Sequence, residues 1–589
     1  MKGASLATDG LRVAEDCATA RRTFPARPEN GEVACPRGVS SMNLGPGEDH
    51  PLAPEVTAMR TSTASNVRLI SSVLAVSTVV AASLGCSSSG GSLPTAPASA
   101  PSENPDGGAT DNEPGPISTD GFEPTKGLAI KEVAVFQGPK VSVALDGAKV
   151  DGRKAPVVAG RAGILRVYVE PSGDWAPREV VATLTLDGGG GAKTLTDRKT
   201  IAGPSTDADL NSTFVFPIAE DLLAPDTTYS VKLETPPGQT STGPSDRAQY
   251  PAAGAESLDA QSTGPALQVR IVPIQYNADG SGRLPDTSPE QLERYRRRFQ
   301  QLYPARKVEI TVRDQIFPWN NPVNPTDGNS INNLLRAVIN LRVSDRPPRG
   351  VYYYGAVTPA ASAAQFCARG CVAGVSPLAQ RPQDTWTAAS VGLGFTGDAS
   401  TTTATHEVGH GHGQQHSPCA PGGQTLRDAD PRYPYPQAGV GGWSWDVEAK
   451  RLVDPARQKD FMSYCQPEWV SDWTFGLLAT RMSIYGAAAY EIPGPRLRYR
   501  IVGVRADGTL EGGEPVETTD APDGDPHEVE IVGDDGLRRS VTGHYFPFDH
   551  TAGGVLVVPT PTLATKRIAL PRGILLPRPA ALDLSTDRR

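Results

Sequence analysis

The sequence predicts a multidomain chain in which an α+β domain is flanked by two all-β, sandwich-like domains. Three observations carry this expectation. The 589 residues correspond to about three or four domains. Glycine (61) and proline (55) are abundant, a composition of turns and short strands rather than long helices. Short alternating runs of β-branched residues fill both ends of the globular part, whereas strands alternate with amphipathic helices between them. The net charge is -9 and no basic cluster stands out, so nucleic acid is excluded as an expected partner.

The start of the chain reads as export machinery. Residues 69–85, LISSVLAVSTVVAASLG, form an apolar run with small residues toward its end, preceded by Arg60 and Arg68. This is the charged-then-apolar pattern of a secretory signal. Because the run does not begin at Met1, Met59 is expected to be the true start, with a signal peptide over 59–86. Residues 1–58 are then a misassigned start or a disordered extension. The end of the run, Ser83-Leu84-Gly85-Cys86, resembles a bacterial lipobox, although its leucine stands two residues before the cysteine rather than three. Cys86 is therefore an expected lipidation site, the alternative being ordinary secretion with cleavage near Gly85. A permanent membrane span is the weaker reading, since about 17 residues is at the short limit for crossing a bilayer. Residues 87–126 are rich in Ser, Pro, Gly and Ala and are expected to be a flexible linker.

From Gly127 the composition changes. The runs 130–136 (IKEVAVF), 163–169 (GILRVYV), 180–186 (VVATLTL), 212–216 (STFVF) and 228–233 (TYSVKL) predict strands of an Ig-like β-sandwich over 127–255. In 264–490 the pattern alternates. Strands are expected at 267–276, 307–312, 351–357 and 390–395. Ser288 as N-cap, Pro289 at the first helical position and Gln291 closing a capping box predict a helix with Leu292, Tyr295, Phe299 and Leu302 on its core face. A second amphipathic helix is expected at 329–343. Trp443 and Trp445 are expected to pack within a Pro/Gly/Tyr-rich loop. In 491–589 the runs 497–504, 527–532, 540–546 and 554–558 predict a β-rich C-terminal domain; its His527, His544 and His550 lack ligand spacing and are assigned surface or packing roles.

Chemistry concentrates in eleven residues, 406–416, HEVGHGHGQQH, which hold four of the eight histidines. On a helix His406 and His410 are one turn apart and project from one face. Glu407, beside the first of them, can reach a water on the metal. Gly413 allows the positive φ at which the chain leaves the helix, bringing His416 up as a third ligand. Three nitrogens and a water make an open tetrahedral zinc site, the arrangement used for hydrolysis. One catalytic Zn2+ is thus the expected cofactor. His412 falls off the ligand face and is expected at the cleft wall or surface.

The pattern H-E-x-x-H-x-x-G-x-x-H resembles the zinc-binding signature of the metzincin metallopeptidases, in which a Met-turn follows. The resemblance implies a metzincin-like zinc peptidase domain over 264–490. Asp460-Phe-Met-Ser-Tyr-Cys465 fits the Met-turn, with Met462 as the hydrophobic base beneath the ligands. Tyr464 follows in the M-x-Y arrangement of astacin-like and serralysin-like members, which implies a role in binding zinc or stabilising the oxyanion. The segments H-S-P-C, M-S-Y-C and W-V-S-D-W together resemble secreted bacterial metzincins of the mucin-cleaving type. An even set of four cysteines in an exported protein implies disulfides, here Cys367–Cys371 and Cys419–Cys465; zinc ligation by some of them is the alternative.

The expected function is a secreted or surface-anchored zinc-dependent endopeptidase that cleaves protein or glycoprotein substrates through a zinc-activated water. Glu407 would be the general base and Tyr464 an assistant. The alternative is a surface adhesion or binding protein with a structural or inactive metal site. The chain is expected to be an exported monomer, either an outer-membrane lipoprotein or extracellular, and to touch the membrane through its lipid anchor alone.

Overall fold

Alternation sets the first body of the fold. The computed structural model describes residues 118–585, apart from 241, 382–383, 423–425, 427, 489–494, 562–564 and 572–579. The expected extension, the signal, Cys86 and the linker through 117 lie outside the described residues. Strands Leu128–Phe136, Lys140–Leu145, Gly163–Pro171 and Phe214–Ile218 pair antiparallel in one sheet; Arg178–Gly188, Gly191–Ile201 and Thr228–Thr235 pair antiparallel in another. Val133, Val135, Leu165 and Val167 share one core with Val180, Leu184 and Val231. The residues between them, Ala134, Phe136, Ile164 and Tyr168, point the other way and are covered by Trp445 and, in part, Trp443. The sequence reading missed strand Gly191–Ile201. It is an edge strand whose side chains are mostly exposed and polar, so it carries no period-2 apolar signal.

The second body is an α/β layer. Strands Val308–Val312, Leu267–Tyr276, Val351–Val357 and Ala389–Leu393 lie parallel in that order, and the short strand Gly374–Val375 closes the edge antiparallel. The helices are α1 (Pro289–Leu302), α2 (Gly328–Asp345), α3 (Ala363–Phe366), α4 (Asp398–Gly411) and α5 (Asp472–Ala488). Strand Val351–Val357 is buried throughout. Its Tyr352 and Tyr354 join the core that holds Tyr295 and Phe299 of α1 and Ala404 and Val408 of α4. Its Tyr353 joins Leu334, Leu335 and Val338 of α2 on the other face. Such a strand has apolar residues on both faces, as a parallel sheet sandwiched by helices requires.

The start of α1 departs from expectation in one respect. Ser288 does cap the helix, its Oγ accepting from Gln291 N at 3.3 Å. Gln291, however, does not reach back to close a capping box. It accepts from Gly397 N at 2.8 Å and donates to Gly397 O at 3.2 Å. The residue before α4 is thereby tied to the first turn of α1.

The third body is one continuous seven-stranded antiparallel sheet, Leu510–Thr518, Leu497–Arg505, Gly553–Pro559, Arg538–Pro547, Asp525–Gly533, Thr565–Leu570 and Ala580–Asp583 in spatial order. Its Tyr499, Ile501, Val516 and Val557 join the α2 core, so α2 is packed between the two sheets. The first body docks by a fully buried cation. Arg161 donates to the carbonyls of Gln137 (2.7 Å), Ala305 (2.6 Å) and Gln300 (2.5 Å), the last two contributed by the α/β layer. The described residues belong to one compact unit. Among the described residues no helix is long and apolar enough to cross a membrane.

Candidate metal centre

Helix α4 is buried continuously from Ala404 through Gly411, which places a polar segment in the interior, where its side chains need partners. It begins at Asp398. His406 and His410 share a face, with their Nε2 atoms 3.1 Å apart. Gly413 stands at φ +81°, and a Cβ there would lie 3.0 Å from the Ala379 carbonyl oxygen. Its N–H donates to His410 O at 2.7 Å, which ends the helix. The reversed chain returns His416, whose ring lies 4.7 Å from that of His410 and 5.4 Å from that of His406.

The second nitrogen of each ring is held. His406 Nδ1 lies 2.8 Å from Phe461 O, His410 Nδ1 2.6 Å from Gln414 O, and His416 Nδ1 3.1 Å from Asp428 Oδ2. These oxygens only accept, so Nδ1 carries the proton in each ring and Nε2 keeps its lone pair for the shared centre. Burial pulls all three imidazoles below their ordinary values, well below for His406 and His410, and the neighbouring rings pull in the same direction. The rings are therefore neutral at pH 7, the form that binds a cation.

The segment after Asp460 forms the floor. Met462 is fully buried, and a Cβ on Gly409 would come within 2.5 Å of its sulfur. The same turn supplies Phe461 O to His406. Disulfide Cys419–Cys465 (Cα–Cα 5.8 Å) ties this turn to the chain just after His416. Cys367–Cys371 (4.7 Å) closes the loop between α3 and the edge strand. Both pairs form as expected, so none of the four cysteines is a metal ligand. The two bridges fit an exported or extracellular protein.

The Tyr464 hydroxyl lies 3.0 Å from His416 Nε2. His412 is neither a ligand nor a surface residue. It is buried, stacked on Tyr352 at 4.3 Å, with Nδ1 2.9 Å from Val408 O. Glu407 lies against the edge strand, where a Cβ on Gly374 would come within 2.5 Å of its Oε1. Burial pushes its carboxyl well above the usual carboxylate range; His550 opposes that shift and Asp549 adds to it.

His550 overturns the surface or packing role expected of it. It lies in the turn between strands Arg538–Pro547 and Gly553–Pro559, and its Nε2 is 3.1 Å from Glu407 Oε1. His406, His410, His416 and His550 each offer a ligand atom, all within 4.8 Å of one another; Glu407, Asp549 and His550 form an overlapping set. Asp549 Oδ2 is 3.2 Å from His410 Nε2. Burial pulls the His550 imidazole down, but the Asp549 and Glu407 carboxylates outweigh it and push it up to about 9. No spacing in the sequence signals this contribution, because it comes from a different sheet. His527 and His544 stay outside the centre: His527 packs edge-on to Tyr545, and His544 Nδ1 lies 3.2 Å from Gly524 O.

The donor set suits a cation. Glu407 Oε2 and Asp549 Oδ2 are buried and have no hydrogen-bond partner, so both keep acceptor lone pairs free beside the imidazoles. This cluster of imidazole nitrogens and carboxylate oxygens could hold a metal ion. No described protein family and no curated protein matches the chain.

Proposed function

We propose that the chain is an exported zinc endopeptidase of the metzincin type, acting on protein or glycoprotein substrates. One observation carries the reading: three imidazoles, each fixed through Nδ1, converge through Nε2 beside the buried carboxylate of Glu407. A zinc ion held by His406, His410 and His416 would supply Lewis acidity to a scissile carbonyl and to the attacking water. Glu407 takes the proton of that water and passes it to the leaving amine. A carboxyl whose proton affinity is raised by burial suits a group that must both accept and release a proton. Tyr464, whose hydroxyl lies 3.0 Å from His416 Nε2, would donate a hydrogen bond to the developing oxyanion. The chain would reach the cell envelope through a lipid on Cys86.

The test is digestion of casein and mucin by the protein, with and without a chelator, alongside Glu407→Gln. Hydrolysis is expected to need the metal. The Gln variant should bind zinc as wild type does and lose at least about a hundredfold in rate, the scale of a general base. Equal hydrolysis by wild type and variant would overturn the reading. A second reading, a surface binding protein with a structural metal, is favoured by the fourth imidazole, since structural sites are closed whereas catalytic ones keep an open position.

A further inference from the structure

The turn that carries Asp549 and His550 is fastened to the α/β layer at several points. Phe548 forms an antiparallel bridge with Pro377 and is buried in the core shared with Val375 and Leu393. Leu378 N donates to Pro547 O at 2.9 Å, and Asp549 N donates to Ser376 O at 3.2 Å. Ser376 N donates to Asp549 Oδ1 at 3.0 Å, and the Thr551 hydroxyl donates to Asn332 Oδ1 at 2.7 Å. Phe548 N donates to Gly553 O at 3.1 Å, which pins the turn as a hairpin end. With Oδ1 of Asp549 used in these anchors, its Oδ2 is left buried and unpartnered, aimed at the histidine cluster 3.2 Å from His410 Nε2 and 3.3 Å from His550 Nε2. The His550 ring stands 4.9 Å from His416 and 5.1 Å from both His406 and His410. It also covers Glu407, with Nε2 3.1 Å from Oε1.

We propose that this turn of the C-terminal sheet is a built-in plug: His550 supplies the fourth ligand to the metal held by His406, His410 and His416, with the Asp549 carboxylate beside it. Four protein donors complete a tetrahedral set and leave no position for water or a substrate carbonyl. The turn also covers the general base. The arrangement is thus a closed, latent form of the centre, and hydrolysis requires the turn to withdraw. The inference rests on the peptidase reading above and accounts for the observation that favoured a structural metal.

The full-length protein loaded with Co2+ tests it, compared with His550→Ala and with His406→Ala as the ligand-loss control. X-ray absorption on wild type should report four imidazole donors. The His550→Ala protein should still bind one Co2+, with an altered visible absorption spectrum and an affinity lower by about tenfold or more. It should also hydrolyse casein faster than wild type, by about tenfold if the open state is about a tenth of the population. An unchanged spectrum and affinity in His550→Ala would overturn the plug and leave the metal reading standing. So would three imidazoles plus water in wild type. Failure of wild type to bind Co2+ any better than His406→Ala would overturn the metal reading, and the plug with it. If His550→Ala does not fold, the wild-type absorption measurement alone decides the ligand count.

Discussion

At the scale of single residues, the structure contains a buried acid outside the histidine cluster. Asp384 is 1% exposed; Oδ1 accepts from Trp386 N at 3.0 Å, whereas Oδ2 has no hydrogen-bond partner. Burial raises its pKa to about 7, although the Trp386 hydrogen bond and the positive charge of Arg481 oppose it. The folded value lies above the unfolded one, so between about pH 4 and pH 7 the native state holds a proton that the unfolded state has released. Stability should therefore fall as pH rises through that window and stay low above it. Asp384→Asn, which cannot ionise, should be the more stable protein at pH 8, by at most about 4 kcal/mol, and match wild type near pH 4. Urea midpoints at pH 4.5, 6 and 8 measure the difference; a gap independent of pH would contradict it. Gly374 shows another way in which one residue controls chemistry. Its missing side chain leaves the space that Glu407 Oε1 fills, so the position of that carboxyl depends on an edge strand remote from the motif in sequence.

At the scale of elements, the turn beneath the ligands is organised by Asp460 more than by its methionine. Asp460 is fully buried. Oδ1 accepts from Met462 N at 2.9 Å and from the Ser417 hydroxyl at 3.0 Å; Oδ2 accepts from Ser471 N at 3.0 Å. One carboxylate thus joins the floor of the site, the chain after the third ligand and the start of α5. Asp460→Ala should leave three buried donors unpaired and lower stability by about 3 kcal/mol, and it should weaken metal binding because Phe461 O orients His406. Asp460→Asn, which keeps one acceptor, should lose less. Chemical denaturation and metal titration of both variants check the order. This device was within reach of the sequence only as a string. His406, His410 and His416 were legible because their spacing is local and a helical turn followed by a glycine reversal converts it directly into geometry. Asp460 was legible as a place in the expected Met-turn, not as a hub, because two of its three partners are brought in by tertiary folding. Strand Gly191–Ile201 was missed for a related reason: on an exposed edge, nothing forces its residues to alternate.

At the scale of the whole molecule, the centre belongs to more than one body of the fold. Three imidazoles and the Glu407 carboxyl come from α4 and its reversal, whereas Asp549 and His550 come from the C-terminal sheet. Periodicity along the chain contains no information about which distant hairpin end will meet the histidine cluster, so His550 read as an ordinary surface histidine. Ligation shared between these bodies, as proposed above, would have a thermodynamic consequence. If detaching the C-terminal sheet lowers metal affinity by the share His550 supplies, bound metal must resist that detachment by the same factor, since coupling between two binding events is reciprocal. Zinc loading should therefore slow amide exchange in strands Arg538–Pro547 and Gly553–Pro559 by about tenfold wherever exchange proceeds through opening of the interface. In His550→Ala the same strands should exchange at one rate with or without zinc, while α4 should still be protected by the metal. Zinc-dependent protection of the two strands that persists in His550→Ala would place the coupling in the hydrogen bonds of Asp549 to Ser376 rather than in the fourth imidazole.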